Sequence, residues 1–568
     1  MIICNTGKDN TVHLRWRDEN GTRVQKKVTD FRPYFFIKHI SSRPKYYEIN
    51  TYLHGKKVSL DIPFEYEDGP WINKNKEPLT KVYVKKASDI PSARKLWSNT
   101  YEANIKFNHR YCIDELTEIP EYNLRKWYWD MEWMTTGEYA GAITTIAVYD
   151  NYLEKFFLYY WLPQENAPYI ADEKTNSLCY DNEKDMLEAF VKSIEEQDPD
   201  LLMAWWGLKA DIPKLLERLF YNGIDVARLS PIKKVKGYTD KLNKKIYTNY
   251  SNIEQPIHGR LCLNLDFAFE RLWNDAQKGT LPSLTLEYVS NRLFGEGKKK
   301  DSKFTDKNEF FRRAWQEDTQ NYLEYNVQDV DLIRRIDEEM GVSEGVLALQ
   351  KLLIAPFDAC FFVTHMAGIY FMRNSDWKAP TPNYDQESEK YDGAMIYDPS
   401  SENTQGLHLN VAALDFAGLY PSMILARNIS WETKSKSESE FAVNLKTPRD
   451  FSPVVEKDMV YYKTDKLGLL PTSVLELKVL RDEYKGRMKK AREEGNKQEE
   501  TKWNNMQMAV KRLMASFYGA MAFPKFAWYD LDLAASITAS AREAIREAAF
   551  YVKNKNKRGK RTAFFGMD

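Results

Sequence analysis

The segment from Asp415 to Ser422 (DFAGLYPS) constrains this chain more than any other feature. An acidic residue closes the apolar run 411–414, and a Gly-containing turn then leads to Tyr420 and Pro421. A carboxylate at a strand end can hold a divalent cation, and the backbone N–H groups of an adjacent turn can bind phosphate oxygens. The pattern therefore predicts a metal and phosphate site at the end of a strand.

Basic residues recur on a pair of long charged helices predicted over residues 471–521, and Gly495 predicts that the two helices meet in a turn at 494–496. Arg481, Lys485 and Lys489 follow one another at every fourth position, so they share one helical face. Lys511 on the returning helix can face them across the hairpin. Four convergent cations suit a triphosphate. The alternative is a solvated helix face that carries only i,i+4 salt bridges.

A second set of acidic residues lies in the front half of the chain. Asp130 and Glu132 are two apart in a predicted strand, so both carboxylates point to one face of a sheet. Tyr325 and Asp329 are four apart on a strongly periodic helix and share a face. Asp211 stands just before a predicted helix start, where a simple N-cap is the plainer interpretation. Together these residues indicate a further metal site.

In their order and spacing these segments resemble the motifs of the family B DNA polymerases. The segment from Lys511 to Gly519 (KRLMASFYG) is similar to the second polymerase motif, and Tyr391-Asp-Gly-Ala394 is similar to the segment that joins the nuclease and polymerase parts. The resemblance implies a multidomain α/β and α+β chain. It would contain a β-rich N-terminal domain, an RNase H-like exonuclease domain, and a partial palm with a helical-hairpin fingers domain.

The expected domain order follows from this resemblance and from the changes of pattern along the chain. We expect an N-terminal β-rich domain at 1–115, an RNase H-like 3′–5′ exonuclease domain at 116–345, a helical connector at 346–395, the first part of the palm at 396–470, the fingers hairpin at 471–523, and a second, truncated part of the palm at 524–568.

The resemblance also implies roles for residues of the polymerase part. Asp415 and Asp568 would be catalytic, with Asp415 a metal ligand, and Tyr420 would exclude a 2′-hydroxyl. The implied nucleotide-binding residues are Leu419, Tyr420, Arg481, Lys485, Lys511 and Tyr518.

For the nuclease part, the resemblance implies that Asp130, Glu132 and Asp329 ligate one metal ion, and that Asp130 and Asp211 ligate a second. Tyr325 would orient the attacking water. The implied cofactor is Mg²⁺, two ions per active site, with Mn²⁺ as a possible substitute. The implied substrates are primer–template DNA and deoxynucleoside triphosphates.

The sequence ends at Asp568, which resembles the entry to the third polymerase motif. We therefore expect a C-terminal partner chain that supplies the rest of the palm and the thumb, and a sliding clamp is a further possible partner. Without that partner the chain is expected to polymerise poorly, whereas its nuclease site is complete in principle.

The composition leaves the choice of partner open but favours one compartment. The 82 basic and 82 acidic residues balance, so bulk charge neither demands nor excludes nucleic acid. Five scattered cysteines argue for a reducing compartment and against zinc. No window approaches 18 apolar residues, so neither a signal peptide nor a membrane span is expected. We expect a cytoplasmic protein, at the nucleoid or in the host cytoplasm of a phage or virus.

Two other functions remain open on the sequence. One is a stand-alone 3′–5′ exonuclease whose polymerase part is vestigial. The other is a non-catalytic DNA-binding scaffold that keeps the fold.

Overall fold

The computed structural model describes residues 1–5, 10–53, 56–120, 123–162, 172–240, 245–275, 279–297, 304, 307–383, 385, 387, 389–395, 407, 409 and 415–555. The strands are β1 Ile2–Asn5, β2 Val12–Arg17, β3 Arg23–Val28, β4 Tyr34–Lys38, β5 Tyr46–Leu53, β6 Lys56–Ile72, β7 Pro78–Val84, β8 Thr100–Tyr101, β9 Lys126–Trp133, β10 Ile143–Asp150, β11 Lys155–Trp161, β12 Thr175–Tyr180, β13 Leu201–Ala204, β14 Tyr238–Asp240, β15 Lys245–Tyr247, β16 Leu261–Asn264, β17 Lys434–Ser435, β18 Phe441–Asn444 and β19 Met459–Tyr462.

The helices alternate with these strands in the middle of the chain and dominate its second half. They are α1 Ile90–Ala93, α2 Phe107–Glu115, α3 Glu183–Gln197, α4 Asp211–Tyr221, α5 Leu265–Asp275, α6 Leu286–Phe294, α7 Lys307–Glu317, α8 Thr319–Met340, α9 Val342–Leu353, α10 Val363–Asn374, α11 Leu419–Ala426, α12 Leu469–Glu493, α13 Lys497–Met521 and α14 Leu531–Lys555. This confirms the expected mixed α/β chain with a β-rich N-terminal region.

The chain divides into two compact units. Unit 1 comprises Met1–Phe31 and Lys106–Phe361, and unit 2 comprises Arg32–Ile105 and Phe362–Asp568. The strands of the first 105 residues are therefore shared between the units, β1 to β3 in unit 1 and β4 to β8 in unit 2. The expected six-part division, with its β-rich domain at 1–115, remains a prediction.

Unit 1 is built on a six-stranded sheet of order β12-β11-β10-β9-β13-β16. The central strand β9 runs antiparallel to β10 and parallel to β13. Its aromatic side chains alternate between two helices. Trp127 and Trp129 lie against Phe190 of α3, and the hydroxyl of Tyr128 donates to Asp337 of α8 at 2.8 Å. Because side chains alternate along a strand, the even-numbered residues of β9 face α8.

Ion pairs attach the first strands of the chain to unit 1. Asp198, at the C-terminal end of α3, accepts from Arg15 and Arg23 of the N-terminal sheet and from Arg260 at 2.7 Å. Arg17 pairs with the fully buried Asp200 at 2.5 Å. Paired buried charges of this kind are costly to break, because removing one partner leaves the other desolvated. The network explains why β1 to β3 belong to unit 1.

Unit 2 contains two sheets and the long helices of the second half. The five-stranded sheet has the order β5-β6-β7-β4-β8, and its core side chains include Phe35, Ile62 and Val82. The three-stranded sheet has the order β17-β19-β18. Helices α12 and α13 form a hairpin whose turn contains Gly495 with a φ of +72°. Only glycine adopts this left-handed region readily, so the chain reverses there.

Candidate active sites

Three carboxylates of unit 1 converge on one point. Asp130, Glu132 and Asp329 each offer an oxygen, and these oxygens lie within 4.8 Å of one another. Asp130 and Glu132 come from the face of β9 that meets α8, and Asp329 comes from α8 itself. Asp329 is 1% exposed, and the other two are half-buried. A group of three carboxylates is the donor set that hard cations such as Mg²⁺ and Mn²⁺ prefer.

The helix α8 also supplies a residue that the sequence did not single out. The side-chain amide of the buried Asn326 donates to Asp130 at 2.8 Å, and its oxygen accepts from the hydroxyl of Thr145 at 3.3 Å. Asn326 therefore fixes the orientation of one carboxylate of the group. Tyr325, one position earlier, is 6% exposed and packs against Phe310 with ring centroids 5.5 Å apart.

Asp211 occupies the first turn of α4 and is 5% exposed. Among the described carboxylates it is not one of the three that converge. It is also not the N-cap, because Ala210 holds that position. Its role as a ligand of a second metal remains a prediction.

Three tyrosines of unit 2 form a connected group beside the DFAGLYPS segment. The rings of Tyr420 and Tyr518 lie 4.6 Å apart between centroids, and the hydroxyls of Tyr391 and Tyr518 are 2.8 Å apart. Burial is the main cause of the raised pKa of both Tyr420 and Tyr518. The hydroxyls of Tyr420 and Tyr518 therefore stay protonated at neutral pH.

The segment itself is placed by helix α11. Gly418, with a φ of +73°, is the N-cap of this helix, and Leu419 and Tyr420 are its first two residues. Asp415 precedes the helix and is exposed. The apolar run 411–414, predicted as a strand, lies outside the described residues, and so does Asp568.

The cations of the helical hairpin have different surroundings. Arg481 donates to Gln507 across the hairpin at 3.2 Å, and burial lowers its pKa. Lys485 lies 3.8 Å from Asp482 on its own helix, and Lys489 pairs with Glu493 at 3.8 Å in a more exposed position. Lys511 lies on α13 and is half-buried. The convergence of Arg481, Lys485 and Lys511 on one ligand remains a prediction.

A buried arginine that no sequence pattern marked holds the backbone next to Tyr391. Arg542 of α14 is fully buried, and its guanidinium donates to the carbonyl oxygens of Asp392 at 2.7 Å and Gly393 at 2.6 Å. It also donates to the carbonyls of Leu445 and Thr447. The side chain of Arg542 therefore positions the backbone next to Tyr391, and this backbone places Tyr391 in the tyrosine group.

The chain matches one protein family over its second half. Residues 366–565 match the family model of DNA polymerase family B. These residues include most of α10, α11 to α14, the tyrosine group and the helical hairpin. Over this part, the chain is similar to the family B DNA polymerases.

Curated relatives match over a longer part of the chain. A DNA polymerase of Pyrococcus glycovorans is 25% identical over 560 residues, which cover 93% of this chain and 65% of that protein. DNA polymerase 1 of Pyrococcus abyssi is 25% identical over 555 residues with the same coverage. The DNA polymerase delta catalytic subunit of Candida albicans is 25% identical over 417 residues, covering 69% of this chain and 38% of that protein. The chain spans about 65% of the length of the archaeal relatives.

None of the described helices has the length and apolar character that crossing a membrane requires.

Proposed function

We propose that this chain is the N-terminal part of a DNA-templated DNA polymerase and carries a 3′–5′ exonuclease in unit 1. The observation that carries the nuclease proposal is the convergence of Asp130, Glu132 and Asp329 within 4.8 Å. The polymerase proposal rests on the family match at 366–565 and on the tyrosine group within it.

In the nuclease proposal, Asp130, Glu132 and Asp329 hold Mg²⁺ or Mn²⁺. A cation bound there supplies positive charge that stabilises the phosphodiester transition state and lowers the pKa of a water. Asn326 keeps Asp130 in its liganding orientation. Tyr325 orients the attacking water. The water oxygen forms a bond to phosphorus and gives up a proton, while the bond from phosphorus to the 3′ oxygen of the preceding nucleotide breaks. That leaving oxygen takes up a proton, and a nucleoside 5′-monophosphate is released. Asp211 is the proposed contributor to a second ion.

In the polymerase proposal, unit 2 binds a deoxynucleoside triphosphate beside primer–template DNA. Arg481, Lys485 and Lys511 contact phosphate oxygens, and Tyr420 lies under the sugar. Asp415 is the proposed metal ligand of this site in a two-metal transfer. The roles of Asp568, a C-terminal partner chain and a sliding clamp remain predictions.

The test is a nuclease assay on the purified chain. A single-stranded DNA labelled at its 5′ end is incubated with the chain and Mg²⁺, and shortening from the 3′ end is followed on a gel. The proposal expects a ladder that EDTA suppresses. Nucleotide incorporation on a primer–template is measured in parallel. A chain that binds DNA but shortens no strand would favour the scaffold alternative.

A further inference from the structure

Trp206 is presented to solvent in an unfavourable backbone conformation. It lies two residues after the end of β13, its side chain is 59% exposed, and its φ is +109°. A large residue with a positive φ costs on the order of 1–3 kcal/mol, and such strain persists only where the surroundings impose it. An exposed indole gains little from burial, so packing alone does not explain why a tryptophan occupies this position.

Three sets of contacts fix the backbone at Trp206 and in the turn that follows it. Its carbonyl oxygen accepts from the N–H groups of Lys209 at 2.8 Å and Ala210 at 2.9 Å. The turn that follows is held to β16, because the N–H of Leu208 donates to the side-chain oxygen of the fully buried Asn264 at 2.7 Å. The turn is tight at Gly207, where an added Cβ would lie 2.8 Å from that of Ala204. The backbone of Trp206 is therefore fixed before any ligand binds.

The indole lies near the carboxylate of Asp266, in the first turn of α5. Asp266 is 7% exposed, and burial raises its pKa to about 7.

The strand register places this indole near the carboxylate group. Strand β13 runs parallel to β9, and its last paired residue, Met203, lies opposite Tyr128, two positions before Asp130. The chain that leaves β13 therefore passes the part of β9 that bears Asp130 and Glu132. Strand β13 ends at Ala204, and adjacent strands are about 4.8 Å apart, so the turn that carries Trp206 leaves the sheet beside this end of β9.

We infer that Trp206 is a stacking platform for the nucleobase at the 3′ end of a single strand held at the carboxylate group. This inference rests on the proposed nuclease function, and it names the side chain that would contact the substrate of that nuclease. A π-face stacks on any base, so the platform would bind 3′ ends without regard to sequence. Fixing the backbone of Trp206 in advance lowers the entropy cost of binding.

The experiment compares single strands that differ only at the 3′-terminal residue, which either bears a base or is abasic. Wild type, Trp206→Ala, Trp206→Phe and the control Tyr221→Ala are assayed with Mg²⁺ for KM and kcat. Tyr221, at the other end of α4, is 58% exposed and so matches Trp206 in exposure. Binding of the same strands in EDTA is measured by fluorescence anisotropy.

The inference expects Trp206→Ala to raise the KM for the base-bearing strand by about tenfold or more, with a smaller change in kcat. On the abasic strand its effect should be small, and Trp206→Phe should be intermediate. Trp206→Gly, which relieves the positive φ, is a second variant that lacks the indole. It should bind as weakly as Trp206→Ala and unfold at a higher temperature than that variant.

Two results would separate the inference from the proposed function. If wild type shortens strands and Trp206→Ala behaves like Tyr221→Ala on both strands, the inference is overturned and the nuclease stands. If wild type shortens nothing but binds the base-bearing strand more tightly than the abasic one, and Trp206→Ala abolishes that preference, the platform stands and the nuclease fails. If wild type neither shortens nor binds strands, both are overturned.

Discussion

The carboxylate group of unit 1 and the tyrosine group of unit 2 are assembled in different ways. In unit 1, Asp130 and Glu132 come from one strand and Asp329 from the helix packed on it, and their oxygens are already within 4.8 Å. In unit 2, Tyr391, Tyr420 and Tyr518 are joined by a ring contact and a hydroxyl contact, while Asp415 beside them is exposed.

The difference has a physical cause. Gathering three negative charges is unfavourable without a cation, so a fold that does so must hold them by rigid elements, as β9 and α8 do here. The tyrosine group is neutral and can form from contacts alone. We therefore expect unit 1 to respond to charge and metal, and unit 2 to respond to the packing of its backbone.

The largest effect is expected from the carboxylate group. Asp130→Asn should reduce Mg²⁺-dependent shortening of a 5′-labelled single strand by about 1,000-fold or more, because it removes a metal-binding charge. Asp331→Asn is the matched control, since Asp331 lies on α8 and pairs with Arg334 at 2.6 Å. If Asp130→Asn and Asp331→Asn were equally active, the carboxylate group would not depend on charge and would not differ in this respect from the tyrosine group.

The second largest effect is expected in unit 2, from substitution of the buried Arg542. Arg542→Gln should lower the free energy of unfolding of unit 2 by about 4 kcal/mol, because four carbonyl oxygens lose a charged donor. Arg546→Gln is the control, since Arg546 lies one turn further along α14 and donates to the carbonyls of Asp450 and Ser452 instead. Urea unfolding followed by tyrosine and tryptophan fluorescence measures both. A larger loss for Arg546→Gln would contradict the role given to Arg542.

A pH dependence is expected from Asp266 in unit 1. Burial raises its pKa to about 7 in the folded chain, above the ordinary value of 3.8 that an unfolded chain restores. The folded state then holds the proton more tightly, so wild-type stability falls as pH rises from about 4 to 7. Asp266→Asn does not titrate and should gain roughly 3 kcal/mol relative to wild type between pH 5 and pH 8. Unfolding curves at the two pH values measure this gain, and parallel curves for both proteins would refute it.

The smallest effect is expected on the helical hairpin of unit 2. Lys485→Gln should weaken binding of a deoxynucleoside triphosphate with Mg²⁺ on the order of fivefold, because one phosphate contact is lost. Lys489→Gln, on the same helix and 77% exposed, should bind like wild type. Equilibrium dialysis with labelled nucleotide compares them. If Lys485→Gln and Lys489→Gln weaken nucleotide binding equally, the effect comes from the overall positive charge of the helix and not from a specific phosphate contact.

Local patterns predicted the parts of this fold that depend on neighbouring residues. The alternation of Asp130 and Glu132 predicted a strand that presents both on one face, and the structure has β9 there. The turn at 494–496 was predicted from Gly495, and α12 and α13 meet at that place. Such features follow from periodicity and from glycine, which act within a few residues.

Contacts between distant residues could not be predicted in this way. Asn326 donates to a carboxylate 196 positions away, and Arg542 donates to carbonyls about 150 positions away. Neither residue type is unusual on a helix, so no local signal marks it. Trp206 lies five positions before Asp211 in the sequence, but its exposure and positive φ depend on how β13 and β16 are paired.

Mn²⁺ binding is the most direct test of whether Asp130, Glu132 and Asp329 hold a divalent cation. Free Mn²⁺ is titrated against wild type, Asp329→Asn and the control Asp331→Asn, and its electron paramagnetic resonance signal reports the unbound ion. Asp329→Asn should bind at least one Mn²⁺ ion fewer per chain than wild type, whereas Asp331→Asn should bind the wild-type number. Identical binding curves for wild type and Asp329→Asn would contradict it.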